Sequence, residues 1–308
     1  MRVLITGSTG QLGTELLRST PAGVEAVGLS RSQCDITDAA AVEEAVSSIR
    51  PCVMINTAAY TAVDKAEEEP HQAFAVNATG AGNVARAARR IDARMIHIST
   101  DYVFDGNRAT PYPPNAETNP VNVYGVSKLV GETEVISADP RALIVRTGWL
   151  YSAHGKNFMR TILAALQARR AIHVVDDQLG VPSSALDLAS AIWSCVELPR
   201  LNRIQHWVNE GSATWYEFAV AIREIALEER IVESAAAVIP ISTAEFGSPA
   251  SRPRYSVLDA SNLWKALGGP PKSWKKSLMA TVAEFKLRSI GGAPEPMSRL
   301  SGTDERSY

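Results

Sequence analysis

The sequence predicts an α/β protein, a doubly wound parallel sheet with a smaller C-terminal α+β lobe. Three observations lead there. The first half alternates short apolar runs with helix-period segments, a glycine-rich turn follows the first of those runs, and the second half mixes helices with short strands. Regular strand–helix alternation is the pattern of a parallel sheet covered by helices on both faces. Strands covered on both sides are expected to read as continuous apolar runs.

Val3–Thr6 reads as a buried strand, Gln11–Arg18 as a helix and Val24–Leu29 as a second strand. Ala39–Arg50 is a helix with Asp38 placed to cap it, since a short carboxylate accepts from the free N–H groups of a first turn. Val53–Thr57 gives a third strand and the alanine-rich stretch His71–Arg90 a long helix. Arg94–Ser99 and Ala142–Thr147 are the fourth and fifth strands. Beyond them, Asn157–Arg169, Ala185–Val196, Trp215–Glu228 and Ser273–Lys286 read as helices, with strands at Ile172–Val175, Gln205–Val208 and Val238–Ile241.

Composition excludes several function classes. The formal net charge of -2 over 308 residues leaves no field to hold a nucleic-acid backbone or an anionic membrane. Cys34, Cys52 and Cys195 form no CxxC pair, so neither a disulfide framework nor structural zinc is expected, and reduced thiols fit a cytoplasmic protein. The N-terminus runs straight into the first strand and so reads as no signal peptide, and no apolar run has the length of a membrane-spanning helix.

Gly7-Ser8-Thr9-Gly10-Gln11-Leu12-Gly13 lies between the first strand and the first helix. In a Rossmann-type dinucleotide site, glycines there serve a tight turn, close approach of backbone to a pyrophosphate, and packing of helix on sheet. The helix N-terminus then offers its N–H groups to the anion. A glycine cluster alone also fits a plain strand–helix turn; its place in a βαβ pattern favours the cofactor. The expected division is a dinucleotide-binding domain at 1–150, a substrate lobe at 151–290 with some segments returning to the sheet, and a flexible tail at 291–308 rich in Gly, Pro, Ser and charge.

The second strand ends Gly28-Leu29-Ser30-Arg31, without the carboxylate that usually meets the ribose hydroxyls of NAD. Arg31 is either a contact for a 2′-phosphate, which favours NADPH with NADH still possible, or a solvated loop residue. Asp35, before Ile36, either accepts from an adenine amino group or begins a turn.

Tyr124-Gly125-Val126-Ser127-Lys128 places a tyrosine and a lysine one helical turn apart on one face. A phenol with its ordinary pKa of about 10 is a poor proton carrier near neutrality. A neighbouring ammonium favours the phenolate and is expected to lower that value. Thr100 follows the fourth strand, and ligands of open parallel sheets bind beyond the carboxyl ends of the strands. A hydroxyl there can donate to an oxygen on which negative charge develops. Each residue alone is commonplace: an exposed helix pair and a strand cap.

Together, the glycine turn, the Tyr-xxx-Lys pair and the upstream threonine resemble the short-chain dehydrogenase/reductase superfamily, and the length its extended branch. Ala58–Glu67, Ser99–Gly106, Asn122–Gly125, Arg146–Tyr151, Gly155–Phe158 and Asp177–Pro182 are similar to the dTDP-4-dehydrorhamnose reductases, over roughly Met1 to Arg288. The resemblance implies reduction of a 4-keto group on a dTDP-linked nucleotide sugar by NAD(P)H, the last step of dTDP-rhamnose biosynthesis for cell-envelope polysaccharide.

By the same resemblance, Tyr124 is the general acid, Lys128 binds the nicotinamide ribose and tunes Tyr124, and Thr100 assists at the carbonyl. Thr100 and Asp101 contact the sugar and Trp149 packs against the substrate. Gly7, Gly10, Gln11, Leu12 and Gly13 meet the pyrophosphate; Ser30, Arg31, Asp35 and Ile36 lie at the adenosine end; and Ala59, Tyr60 and Thr61 line the cofactor channel. Tyr102 follows Thr100-Asp101 where the related 4,6-dehydratases carry a glutamate, which points away from elimination chemistry. The alternatives are another nucleotide-sugar reductase or a 4-epimerase, and a non-catalytic regulatory subunit of the kind found with a methionine adenosyltransferase. Some reductases of this type pair through magnesium held by acidic residues. Glu15 is either such a contact or a solvated side chain, and the chain is expected as a monomer or homodimer.

Overall fold

The computed structural model describes residues 1–198, 201–234 and 236–291, so the tail expected at 291–308 lies almost wholly outside the described residues. Six parallel strands form the main sheet: β1 (Arg2–Thr6), β2 (Glu25–Leu29), β3 (Val53–Asn56), β4 (Arg94–Thr100), β5 (Leu143–Thr147) and a late strand, Ile204–His206. Their order is β2, β1, β3, β4, β5 and then the late strand at the edge. The expected doubly wound parallel sheet is thus the one observed, with Gln205 and its neighbours the segment that returns to it.

Helix α1 (Gln11–Arg18) covers one face together with Ala185–Glu197. The opposite face carries α2 (Ala39–Ile49), α3 (Val63–Glu68), α4 (Pro70–Phe74), α5 (Ala81–Arg90) and α6 (Val123–Ala138). Asp38 caps α2, accepting from the N–H groups of Ala40 and Ala41. The helix expected over His71–Arg90 is interrupted: a π-helical turn at Ala75–Gly80 separates α4 from α5. Such turns recur at functional sites. Here the turn brings Asn77 to the backbone of Tyr60, accepting from its N–H at 2.8 Å and donating to its carbonyl at 3.0 Å, and to Ser127 Oγ of α6 at 2.9 Å.

A second core forms among residues 151–285, where α7 (Phe158–Gln167), β6 (Leu150–Tyr151), β7 (Ile172–Val175) and the helices Trp215–Glu228 and Trp274–Gly291 enclose Met159, Ile162, Leu163, Phe218, Ile222, Leu278 and Val282. Val238–Ile241 pairs in parallel with β7. Among the described residues no helix is long and apolar enough to cross a membrane.

Candidate active site

The strand order reverses direction around β1, with β2 on one side and β3 on the other, and ligands of open parallel sheets bind beyond the strand ends at such a point. The glycine turn lies there. Gly7 has φ +72°, and a Cβ on it would fall 2.6 Å from the backbone of Ala58; one on Gly13 would fall 2.4 Å from the Gly7 carbonyl oxygen. Only glycines let the turn fold this tightly against the end of β3. Gly10 caps α1 without a side chain, so the cap itself supplies no acceptor to the N–H groups of the first turn, and Leu12 is buried in the core beneath. A narrow backbone cradle at a helix N-terminus fits a dinucleotide pyrophosphate. The Gln11 side chain turns away, its Oε1 accepting from Ser152 Oγ at 3.1 Å and Asn157 Nδ2 at 2.9 Å, which ties the cradle to the segment after β6.

At the end of β2, Ser30 Oγ bonds Gln33 Oε1 at 2.8 Å. The end of β2, Gly28–Arg31, carries no carboxylate, and Arg31 pairs with Asp35, four residues on, at 3.2 Å on the surface. Asp35 also accepts from the N–H and hydroxyl of Thr37, and the Thr37 N–H is the main reason its carboxyl lies below its ordinary value. Asp35 therefore does begin a turn. Ile36 is buried in the core against Gly80, and its carbonyl accepts from Asn83. Ala59, Tyr60 and Thr61 follow β3; the Tyr60 hydroxyl donates to Glu69 at 2.8 Å, and burial with that bond raises it to about 12.

Thr100, Tyr124 and Lys128 converge. Thr100 is the last residue of β4, its Oγ1 accepting from the Tyr102 N–H at 3.2 Å and donating to Asp101 Oδ1 at 3.1 Å. Asn122 caps α6 by accepting from the Gly125 N–H, which sets the turn that carries Tyr124. Gly125 lets that turn lie against β4's continuation, where a Cβ would stand 2.2 Å from the Tyr102 carbonyl oxygen. Lys128 is buried and donates to the Ile98 carbonyl at 2.7 Å.

The lowered Tyr124 pKa expected from its lysine is not what the structure gives. Burial raises Tyr124 above its ordinary value, its hydrogen bond with Thr100 pulls it down, and the charge of Asp101 raises it again. Desolvation disfavours the phenolate, so the hydroxyl keeps its proton. Lys128 is itself lowered to about 8 by burial, with Glu132 opposing.

Asp101 is buried, and its Oδ2 has no hydrogen-bond partner. Burial raises its carboxyl to about 6, against bonds from Ser256 and Thr100. Gly148 makes room for it: a Cβ there would fall 2.7 Å from the Asp101 carboxylate. Trp149 follows with φ +48°, strained for a bulky residue, and stacks on Trp215 with ring centroids 3.5 Å apart. One face of the indole is thus already packed against protein, and a Cβ on Gly180 would fall 2.3 Å from its Cε2, so Gly180 packs close to the ring as well.

Several groups here escaped the sequence reading. Arg252 pairs with Asp64 at 2.8 Å and bonds the Tyr102 hydroxyl, and the Tyr102 ring packs edge-on to Tyr124 at 5.7 Å. Two further sets of buried polar contacts lie among the strands and α6: Thr6 Oγ1 to Asn56 Oδ1 at 2.7 Å and Asn56 Nδ2 with His97 Nδ1 at 3.1 Å, and, separately, Arg146 Nη2 to Glu132 Oε2 at 2.6 Å. The visible signal was a polar residue in an apolar strand, His97 and Arg146 above all.

Glu15 is not solvated. It is buried, and burial raises its carboxyl. With His154 and Glu284 it brings three ligand atoms within 4.8 Å of one another. The set does not fit magnesium, which takes oxygen ligands and water in an octahedron. One of the three is an imidazole, and Arg18 already bridges the carboxylates, 3.1 Å from Glu15 and 2.6 Å from Glu284.

A dinucleotide cradle at the switch point of a parallel sheet, with threonine, tyrosine and lysine gathered beyond the neighbouring strand, defines the extended short-chain dehydrogenase/reductase class. The family model described as RmlD substrate binding domain matches residues 1–287. The dTDP-4-dehydrorhamnose reductase of Mycolicibacterium smegmatis is 42% identical over 287 residues, 92% of this chain and 85% of that protein. That of Aggregatibacter actinomycetemcomitans is 37% identical over 284 residues, 90% of this chain and 97% of that protein. Among solved structures, the dTDP-4-dehydrorhamnose reductase of Bacillus anthracis in complex with NADP superposes with a TM-score of 0.86 at 38% identity, covering 92% of this chain and 99% of that one. The chain belongs to the dTDP-4-dehydrorhamnose reductase family.

Proposed function

We propose that this protein reduces the 4-keto group of dTDP-4-dehydro-L-rhamnose to give dTDP-L-rhamnose, the final step of dTDP-rhamnose biosynthesis. The observation that carries the reading is the convergence of Thr100, Tyr124 and Lys128 at the carboxyl end of β4, beside a glycine cradle, in a chain of this family. Bound NADPH, or NADH, supplies the hydride. Gly7, Gly10, Gln11, Leu12 and Gly13 would hold its pyrophosphate, Arg31 would lie at the adenosine end, and Tyr60 with its neighbours would border the channel.

Tyr124 acts as the proton donor. Its raised value is the useful direction for a reduction, because the hydroxyl must arrive protonated, and an alkoxide is basic enough to take the proton. Thr100 Oγ1 donates to the same oxygen as charge develops on it, giving up its bond to Asp101. Lys128, which donates to the Ile98 carbonyl here, would bind the nicotinamide ribose and supply positive charge near Tyr124. Asp101, with a free oxygen, accepts from a sugar hydroxyl. Trp149 offers the sugar an edge or its second face. Residues 1–150 serve as the cofactor domain and 151–290 as the substrate lobe. The enzyme works in the cytoplasm as a monomer or homodimer; its free thiols suit that compartment.

The test is NADPH oxidation with a panel of nucleotide 4-keto-sugars. Consumption only with the dTDP-linked 4-keto-rhamnose, yielding the rhamnose configuration, is expected. The opposite configuration at C4 makes the chain a sister reductase, and binding of NADPH without consumption on any sugar sinks the catalytic reading.

A further inference from the structure

We propose that Glu132 is a positioning residue for Tyr124 and Lys128: from one turn beyond Lys128 on α6, its buried carboxylate locks the helix to Ser99 of β4 and Arg146 of β5 and sets the charge beside the lysine. The proposal rests on the roles given above to Tyr124 and Lys128.

Tyr124, Lys128 and Glu132 recur every fourth residue, so they line one face of α6. Alternate residues of β4 and β5 point to that face. Ser99 is directly opposite Arg146 in the parallel register, and Arg146 opposite His206. Glu132 enters between them. Its Oε1 accepts from Ser99 Oγ at 2.5 Å and Arg146 Nε at 2.8 Å, and its Oε2 accepts from Arg146 Nη2 at 2.6 Å. Both charged side chains are 3% exposed. The fork of the guanidinium leaves little angular freedom, so the contact specifies geometry as well as attraction.

Stability alone is a poor reason for such a pair. Desolvating two charges costs about what their attraction returns, and an apolar replacement of similar volume is often as stable. What an apolar replacement lacks is register. Ser99 precedes Thr100 in the chain, and the Arg146 guanidinium lies 5.2 Å over the Phe104 ring, which closes the turn that begins at Asp101. The pair thus braces both sides of the reacting group: the strand end with Thr100 and the helix with Tyr124 and Lys128.

Charge gives a second consequence. Burial pulls Lys128 down to about 8, and Glu132 holds it up. The other groups around this end of α6 are His97 on β4, which burial and the Lys128 charge keep neutral, Arg146 on β5, Asp101 beyond β4, and Glu67, which accepts from the Val123 N–H at the start of the helix. Glu132 is the acidic group on the lysine's own helix face.

Glu132→Gln keeps the shape and the acceptor to Ser99 and removes the charge. The titration of Lys128 is followed by NMR of lysine Cε, with the signal assigned by its loss in Lys128→Met. Its midpoint is expected to fall by about one unit. The basic limb of turnover should fall with it, an approximately five-fold loss at pH 8 that shrinks toward pH 6, while KM for the keto-sugar holds. Ser99→Ala loosens the helix and keeps the charge, so kcat should drop with the limb unmoved. If Glu132→Gln leaves the buried Arg146 charge unpaired and the chain does not fold, Glu132→Gln with Arg146→Met removes both charges and carries the same titration. A folded variant with Lys128 and the limb at their parental positions overturns the proposal. The NMR titration needs no substrate, so a shifted Lys128 in a chain that reduces no sugar sinks the reductase reading and leaves Glu132's role standing.

Discussion

The two faces of the six-stranded sheet are made from alternate residues of the same strands, and they differ in kind. Toward α1 and the helix Ala185–Glu197, Val3, Ile5, Val53, Ile55, Ile96, Leu143 and Val145 are apolar, with Thr100 and Thr147 following at the carboxyl ends of β4 and β5. Toward α2, α5 and α6, Leu4, Met54, Met95 and Ile144 are apolar only over the lower half. At the carboxyl ends that second face carries Thr6, Asn56, His97, Ser99, Arg146 and His206, all buried. A buried polar group costs free energy unless it is bonded, and each of these has a partner at one atom or more. Below its terminal threonines, one face therefore serves stability; the other spends some of it to hold α6, with Tyr124 and Lys128, in a fixed place.

The largest effects should separate the faces cleanly. Tyr124→Phe removes a proton donor on the polar side and leaves the ring against Tyr102. Turnover should fall by about 10² or more, the usual scale for a positioned acid, with NADPH affinity and melting temperature almost unchanged. Ile55→Ala on the apolar side should do the reverse. It empties a fully buried site, at a cost of about 3 kcal/mol in urea unfolding, with KM and the pH profile of the surviving enzyme unaltered. If the first lowers stability as much as the second, or the second shifts the pH profile, the division of labour between faces is wrong.

Asp101 sharpens the contrast, because it is a buried charge that opposes folding. Its folded carboxyl is raised to about 6, above the ordinary 3.8. Between those values the folded state holds a proton that the unfolded state has released, so Asp101's contribution falls as pH rises, and above pH 6 its full cost, about 2–3 kcal/mol, is present. Asp101→Asn should thus unfold at higher urea than the parent at pH 8, with the gain vanishing below about pH 4. Turnover should fall, since the acceptor for the sugar is lost. An unchanged difference in stability between pH 4 and pH 8 would falsify this account of Asp101.

How much of this was legible follows from how local each signal is. The glycine spacing, the positions of the strands, the Asp38 cap and the Tyr124–Lys128 spacing are written within a few residues, and the structure agrees with them. The polar band is not local. Its register is set between strands that lie far apart in the chain, so Ser99, Glu132 and Arg146 meet only once β4, β5 and α6 are assembled. Treating the strands as uniformly apolar also hid the alternation. Leu143-Ile144-Val145-Arg146-Thr147 reads as a core strand until the arginine is asked for a partner. Trp149 was legible as an aromatic beyond a strand, whereas its stacking on Trp215 depends on a helix some sixty residues on. Glu15 looked solvated because neither His154 nor Glu284 is near it in sequence.

The smallest effect expected lies outside both faces, at the exposed end of β2. Arg31 is paired with Asp35, with side-chain exposures of 72% and 36%. A pair so exposed is worth under about 1 kcal/mol, so the guanidinium can leave it for a 2′-phosphate at little cost. Asp35 does not follow, because Thr37 holds it at 2.8 and 3.0 Å. Arg31→Asp places a second carboxylate beside the first and opposes the phosphate. It should lower kcat/KM with NADPH by about ten-fold and leave NADH nearly untouched, which reverses the preference. Asp35→Asn keeps the bond to the Thr37 hydroxyl and frees Arg31, so it should move the preference the other way by a smaller factor. Both shifts should weaken in high salt, unlike the losses on the polar face, where the charges are buried and screening is slight. Equal efficiency of the parent with NADPH and NADH would remove Arg31 from cofactor selection and leave it a surface partner of Asp35.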